Sequence, residues 1–290
     1  MSPRLSSVVG LLVSAGLGAA IAAAGGDGGE ELGGLPLFAW LVIVAFGVNV
    51  IVYVPSLSAR TEHYFDLTGS ITYLTVTIAA VVATDDADAR TLLLAAMVTI
   101  WAARLGSFLF RRVSRDGGDG RFDSLKTDWL VFLRVWVLQG LWVTVTAGAA
   151  LAAMTSGAKT DVGVVGIIGL ALWAAGFTVE VTADRQKSAF RADPANEGRF
   201  IDTGLWAWSR HPNYFGEITL WAGVAVLALP ALDGWQYVTL ISPLFVFVLL
   251  QYVSGVPLLE RRAERRWGDE PAYRAYVSAT PVLLPRRPRR

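Results

Sequence analysis

The segment Arg210-His211-Pro212-Asn213-Tyr214, with Glu217 one helical turn further on, sets five different polar groups into apolar sequence. They are a guanidinium, an imidazole, a carboxamide, a phenol and a carboxylate. Ionisable groups in such a setting are expensive and mark a functional site by default. Pro212 has no backbone N–H and disfavours helix at His211, so a helix breaks or begins here and leaves backbone groups free. Arg210 suits a phosphate, Asn213 suits an amide, and Tyr214 can stack or donate a proton. A helix cap with an interfacial aromatic anchor would use the same proline and tyrosine. Arg, His, Asn and Glu together exceed what anchoring requires.

Four other groupings carry possible chemistry. In the loop Arg111 to Phe122, RRVSRDGGDGRF, glycines admit an anion to backbone N–H groups, and Arg112, Arg115 and Arg121 flank Asp119 as potential phosphate clamps. An ordinary cytoplasmic turn is the other reading. The loop is not a GxGxxG motif and follows no strand, which excludes a Rossmann fold. Glu180, Asp184, Lys187 and Arg191 are spaced by four, three and four, which places them on one helical face. Glu180 lies in an apolar run and needs a partner or a ligand; a salt-bridged helix end would account for the group equally well. Asp66 and Tyr73 are seven apart and share a helix face. In a desolvated cleft they could polarise or protonate a carbonyl oxygen, although Asp66 also reads as a helix N-cap. Finally, Leu258 to Gly268 reads as a membrane-surface helix with a glycine stop. A helix bearing Tyr273 and Tyr276 follows, and then PRRPRR, suited to anionic headgroups.

The elements that must position these residues are membrane helices. The chain has 290 residues, 54% of them hydrophobic and 17% charged, with a mean hydropathy of +0.48. A soluble domain carries about 25% charge, so the expected class is an all-α polytopic membrane bundle. There are no cysteines, which excludes disulfides and thiolate chemistry, and only two histidines, His63 and His211, so no metal centre is expected. A span needs about 20 apolar residues. Eight are predicted: 7–25, 36–57, 66–83, 91–111, 129–154, 162–183, 205–229 and 235–257. The first, rich in Gly and Ala, reads as a retained helix rather than a cleaved leader. The loops 26–35, 84–90, 155–161 and 230–234 contain only Arg90 and Lys159 as basic residues, so the positive-inside bias puts both termini in the cytoplasm. Seven spans would move the N-terminus alone. The predicted organisation is an N-terminal helix and external loop (1–35), a membrane domain (36–285) and a basic tail (286–290). No loop could house a soluble domain. Membrane lipids and a lipophilic small molecule are the expected partners, with no nucleic acid and no obligate protein partner.

On these residues the chain resembles the bacterial DUF1295 family, which belongs with the steroid 5-alpha-reductases and related membrane enone reductases. The likeness rests on Trp101-Ala102-Ala103-Arg104-Leu105-Gly106 and Asp116-Gly117-Gly118-Asp119-Gly120-Arg121-Phe122. It rests also on Gly204-Leu205-Trp206 through Glu217, and on Pro257-Leu258-Leu259-Glu260 through Asp269. It spans roughly residues 60–285. The resemblance implies a seven-helix reductase core behind the N-terminal helix, in a bacterial inner membrane. NADPH would be held in a cavity open to the cytoplasm, with hydride passing to an enone of a steroid- or isoprenoid-like lipid. By position, Asp184, Arg191 and Asn213 look like cofactor contacts, and Glu180 stands where steroid reductases have a cofactor-binding amide. Arg112 and Arg115 fall where the family's loop meets the adenosine phosphates. Arg104, Asp119, Arg121, Arg199, Arg210, His211 and Tyr214 complete the expected cofactor-binding set. Asp66-Leu67 sits where steroid reductases place a Glu-Leu whose carboxyl, with a tyrosine on the next helix, binds the substrate carbonyl. Trp101 stands where that tyrosine would be, which leaves Tyr73 as its substitute. Glu260 and Ala263 stand near the places of the His and Tyr those enzymes use. The RHPNY motif and the Glu-rich, Tyr-containing tail are also similar to isoprenylcysteine carboxyl methyltransferases, which implies S-adenosylmethionine as the alternative cofactor.

Overall fold

In a computed structural model, which describes residues 2–116, 120 and 122–288 (of Arg115 and Asp116 the backbone alone), eight helical segments are long and apolar enough to cross a bilayer. The all-α expectation holds. The helices are α1 (Pro3–Gly25), α2 (Leu37–Ser58), α3 (Phe65–Ala83), α4 (Ala89–Asp116), α5 (Trp129–Met154), α6 (Gly163–Ala192) and α7 (Pro212–Ala228), followed by α8 (Ser242–Val248), α9 (Val256–Trp267) and α10 (Pro271–Ala279).

Two departures from the predicted spans have local causes. The seventh span begins at Pro212 rather than at 205, because proline suits the first helical position; Gly204–Ala207 forms a separate 3-10 turn. The eighth is discontinuous. A 3-10 segment, Gly234–Ile241, leads into α8, a π turn at Leu249–Val253 follows, and the chain breaks at Gly255 before α9. Turns of the π type collect at functional sites. The loop after α1 folds into a small hairpin, β1 (Glu31–Leu32) against β2 (Leu35–Pro36), turned by Gly33 and Gly34 at φ 61° and 82°, a geometry that two glycines permit.

The chain forms two compact units, Met1–Ile167 with Val224–Ser242, and Ile168–Gly223 with Pro243–Arg290. In the first, α5 is the centre. Every residue from Gln139 to Met154 except Trp142 is buried, and α1, α2, α3 and the 3-10 segment pack on it. Ala147, Gly148, Ala149, Ala150, Ala152 and Ala153 keep that helix slim, so neighbouring backbones approach closely. The Gly/Ala-rich α1, 23 residues, is itself long and apolar enough to span. Its buried stripe is Ser7, Ser14, Gly18 and Gly25, and the last two meet the rings of Phe46 and Phe38 on α2.

The loop residue Arg90 proves to be buried at the start of α4, 1% exposed, and donates to the carbonyls of Leu227, Asp161 and Val162. It satisfies one acceptor at the end of α7, Leu227, and two just before α6.

In the second unit, α6 and α7 touch backbone to backbone. A Cβ on Gly176 would stand 2.5 Å from the Leu220 nitrogen, one on Gly216 would stand 2.6 Å from the Glu180 nitrogen, and one on Gly223 would stand 2.5 Å from the Trp173 nitrogen. The aromatic rings of Phe200, Trp267, Tyr273 and Tyr276 cluster with centroids 5.2–6.1 Å apart, which ties the loop after α6 to α9 and α10.

Candidate functional site

The glycine contacts set the first turn of α7 directly against α6 beside Glu180. There Asn213 donates its Nδ2–H to Asp184 Oδ1 at 3.3 Å. Glu180 and Asp184 are both buried, so the helical spacing that singled them out does bring them to one place. Lys187, a turn further on, lies over the Trp206 ring at 4.3 Å, and that indole donates to the Ala183 carbonyl at 3.0 Å. Arg191 and Arg199 are exposed. An open groove of about 460 Å³ runs along this end of α6 between Gln186, Phe190, Asn196 and Thr203.

The RHPN segment is held by a residue that the sequence placed near a histidine position of steroid reductases but did not join to this segment. Glu260, on the first turns of α9, accepts from Arg210 Nη1 at 2.6 Å through Oε2 and from His211 Nε2 at 2.7 Å through Oε1. The break before α9 is what makes this reach possible. Gly255 has no side chain, and a Cβ there would stand 2.8 Å from the Tyr214 ring. Tyr214 in turn stacks on the imidazole, 9° from parallel, with centroids 5.4 Å apart.

His211 is 4% exposed. Burial pushes its pKa below the usual histidine value, and the opposing pull of Glu260 does not restore it. A neutral ring in this place carries its proton on Nε2, donated to the carboxylate, and leaves Nδ1 as a bare acceptor. That atom, Arg210 Nε and Asn213 Oδ1 are all buried with no hydrogen-bond partner among the described residues.

The backbone groups expected to be free beside Pro212 are not. The N–H groups of Arg210 and His211 donate to the carbonyls of Pro281 and Val282 at 2.9 and 3.1 Å. Ser209 Oγ donates to the Leu283 carbonyl at 2.9 Å, and the Arg286 N–H donates to the Trp208 carbonyl at 2.9 Å. Tyr276 adds a bond from its hydroxyl to the Trp206 carbonyl at 2.8 Å, and burial raises its pKa. Residues 281–286 thus form a strap along 208–211.

In the first unit, Asp66 lies in the opening turn of α3, where a negative charge faces the helix N-terminus favourably. It is not the cap; Tyr64 holds that position. Its carboxylate pairs with Arg112 Nη2 at 3.5 Å, so a residue expected at phosphates sits at the carboxyl expected to meet substrate. Tyr73 is buried, edge-on to the Trp101 ring at 5.1 Å and 90°. The phenol of α3 therefore stands beside the very α4 position where the resemblance expected a tyrosine. Gly106 allows this closeness, since a Cβ there would overlap Ser70. The Arg104 guanidinium lies 5.4 Å from the Phe108 ring. The Arg115 side chain, Asp119 and Arg121 lie outside the described residues.

No solved structure matches this chain. A fission yeast protein (Schizosaccharomyces pombe) named only as uncharacterised is 25% identical over 227 residues, 69% of this chain and 64% of its own length, so this chain covers less than two thirds of that relative. A family model described as a protein of unknown function, DUF1295, matches residues 52–280, from within α2 to just past α10. That stretch holds every candidate residue named above, and the chain belongs to the DUF1295 family.

Proposed function

We propose that the protein is an NADPH-dependent membrane reductase acting on a carbon–carbon double bond conjugated to the carbonyl of a lipid. The observation that carries this reading is the set of three orphaned polar atoms, Arg210 Nε, His211 Nδ1 and Asn213 Oδ1, buried within four consecutive residues. Buried polar atoms are usually paired; thirteen other such atoms lie scattered among the described residues between Asn49 and Gln251, but only here do three fall within four consecutive residues, and that clustering supports a polar ligand at this segment. Exposed Arg191 and Arg199, on and just after the end of α6, suit the phosphates of a dinucleotide.

NADPH, when bound, supplies the hydride. The chain's own contribution is orientation and charge stabilisation. Tyr73 would donate its phenolic proton to the substrate oxygen as negative charge develops there, and Asp66, which as a carboxylate can only accept, would donate to the same oxygen in its protonated form, beside Arg112. An apolar substrate enters from the bilayer. By the positive-inside bias, the C-terminus and the loop after α6 face the cytoplasm of a bacterial inner membrane.

Asp66→Asn should retain NADP+ binding and lose turnover. Unchanged turnover would remove Asp66 from the reaction. A second reading, an S-adenosylmethionine-dependent methyltransferase, draws on the same open acceptors, which could also take an ammonium group. Mass spectrometry of small molecules that co-purify in mild detergent, with calorimetric titration of NADP+ and S-adenosylmethionine, separates the two.

A further inference from the structure

We infer that Glu260 is a positioning residue. It locks His211 in the Nε2–H tautomer, so that His211 Nδ1 and Asn213 Oδ1 are two acceptors and Arg210 Nε one donor for a primary carboxamide. The inference rests on the reductase reading, because the carboxamide in question is that of nicotinamide. It names the part of the cofactor that this segment recognises.

The reasoning is a count of hydrogen-bonding capacity. Arg210 has donors only, and one goes to Glu260 Oε2. A carboxylate has acceptors only, so Oε1 at 2.7 Å must receive a proton from His211 Nε2. In the neutral ring, which burial favours, that leaves Nδ1 unprotonated and accepting. The Asn213 amide gives its N–H to Asp184, whose carboxylate can only accept, which fixes the carbonyl oxygen as the open end. All three open atoms are buried. A primary carboxamide has two N–H groups and one carbonyl, the complement of this set. An ammonium group fits less well. The open acceptors are both neutral, and the neighbouring carboxylates Asp184 and Glu260 are already engaged.

The lock has a signature that a merely structural contact would not show. In Glu260→Gln the single oxygen must face Arg210, which cannot accept, so the amide N–H turns to His211. Nε2 then has to accept, and the proton moves to Nδ1. With only two histidines in the chain, 15N-histidine labelling of the full chain in detergent, assigned with His63→Gln, reads this directly. The expected result is a bare Nδ1 in the wild type and an inverted tautomer in Glu260→Gln. A protonated Nδ1 in the wild type, or the same tautomer in both, overturns the lock.

Binding gives the second readout. Glu260→Gln should weaken NADP+ on the order of tenfold, the cost of facing a donor with a donor at a buried site. The 3-acetylpyridine analogue, which lacks the amide N–H, should bind the two proteins alike. Equal losses for both ligands overturn the carboxamide assignment. If neither ligand binds the wild type, the reductase reading falls and the carboxamide with it, while the tautomer spectra still judge the lock.

Discussion

His211 works as an acceptor only while its ring is neutral, and burial is the force that keeps it so. The charged groups facing it are Glu260 from α9, Lys187 from α6 and Arg210 beside it; the phenol of Tyr276, its pKa raised by burial, is neutral. Because the folded pKa is lowered, the unfolded chain takes up this proton first as pH falls through about 6.5. Stability from this group is complete above that value and declines below it. NADP+ affinity should therefore stay level from mildly alkaline pH down through the ordinary histidine range, then fall as Nδ1 is protonated. Calorimetry at stepped pH checks this, and a midpoint above the ordinary histidine value would contradict a buried neutral ring. The RHPN residues were legible in the sequence because charge is conspicuous among apolar neighbours. The pairing of Glu260 with them was not, because that residue sits in a basic amphipathic run where a carboxylate looks like an ordinary surface residue. Nor were the partners of the Ser209 hydroxyl and its neighbouring amides, which come from up to 74 positions downstream.

At the scale of elements, the α6–α7 contact decides whether Asn213 meets Asp184. Gly216→Ala would put a methyl 2.6 Å from the Glu180 nitrogen and the Gly176 oxygen. The two helices would have to move apart, at a cost of about 1–3 kcal/mol. The expected result is a lower melting temperature together with weakened cofactor binding. Gly47→Ala on α2 is the control, since nothing lies within 4 Å of its added carbon. That variant should be neutral or up to about 1 kcal/mol more stable, from the helix preference of alanine. A melting temperature lowered equally by both would show that the contact has no special weight. Apolar length located the helices well, because a bilayer imposes it on every span. It could not locate the π turn and break between α8 and α9. A shifted backbone hydrogen bond leaves hydropathy unchanged, and the proline there, Pro257, comes after the break.

Over the molecule as a whole, the charge asymmetry that orients the loops misplaced one residue. Arg90 looked like a rare cation in an outer loop; instead it is sealed among carbonyls from two other segments. Loop charge is counted along the chain, whereas burial depends on which segments meet in space. Arg90→Ala should cost about 2–3 kcal/mol through the loss of its charged hydrogen bonds. Lys should restore only part, because a single ammonium cannot span the carbonyls that the guanidinium fork reaches. The folded fraction recovered on size exclusion after a heat challenge measures both. Recovery equal to the wild type in Arg90→Ala would reduce the residue to a passive filler. The strap formed by residues 281–286 has a consequence for biosynthesis. When the ribosome has just completed α9, Arg210, His211, Asn213 and Glu260 have all been made, yet the two carbonyls that the Arg210 and His211 amides bind, those of Pro281 and Val282, have not. The nascent protein holds the ingredients of its candidate site before it holds their arrangement, and the arrangement arrives with Pro281 and Val282.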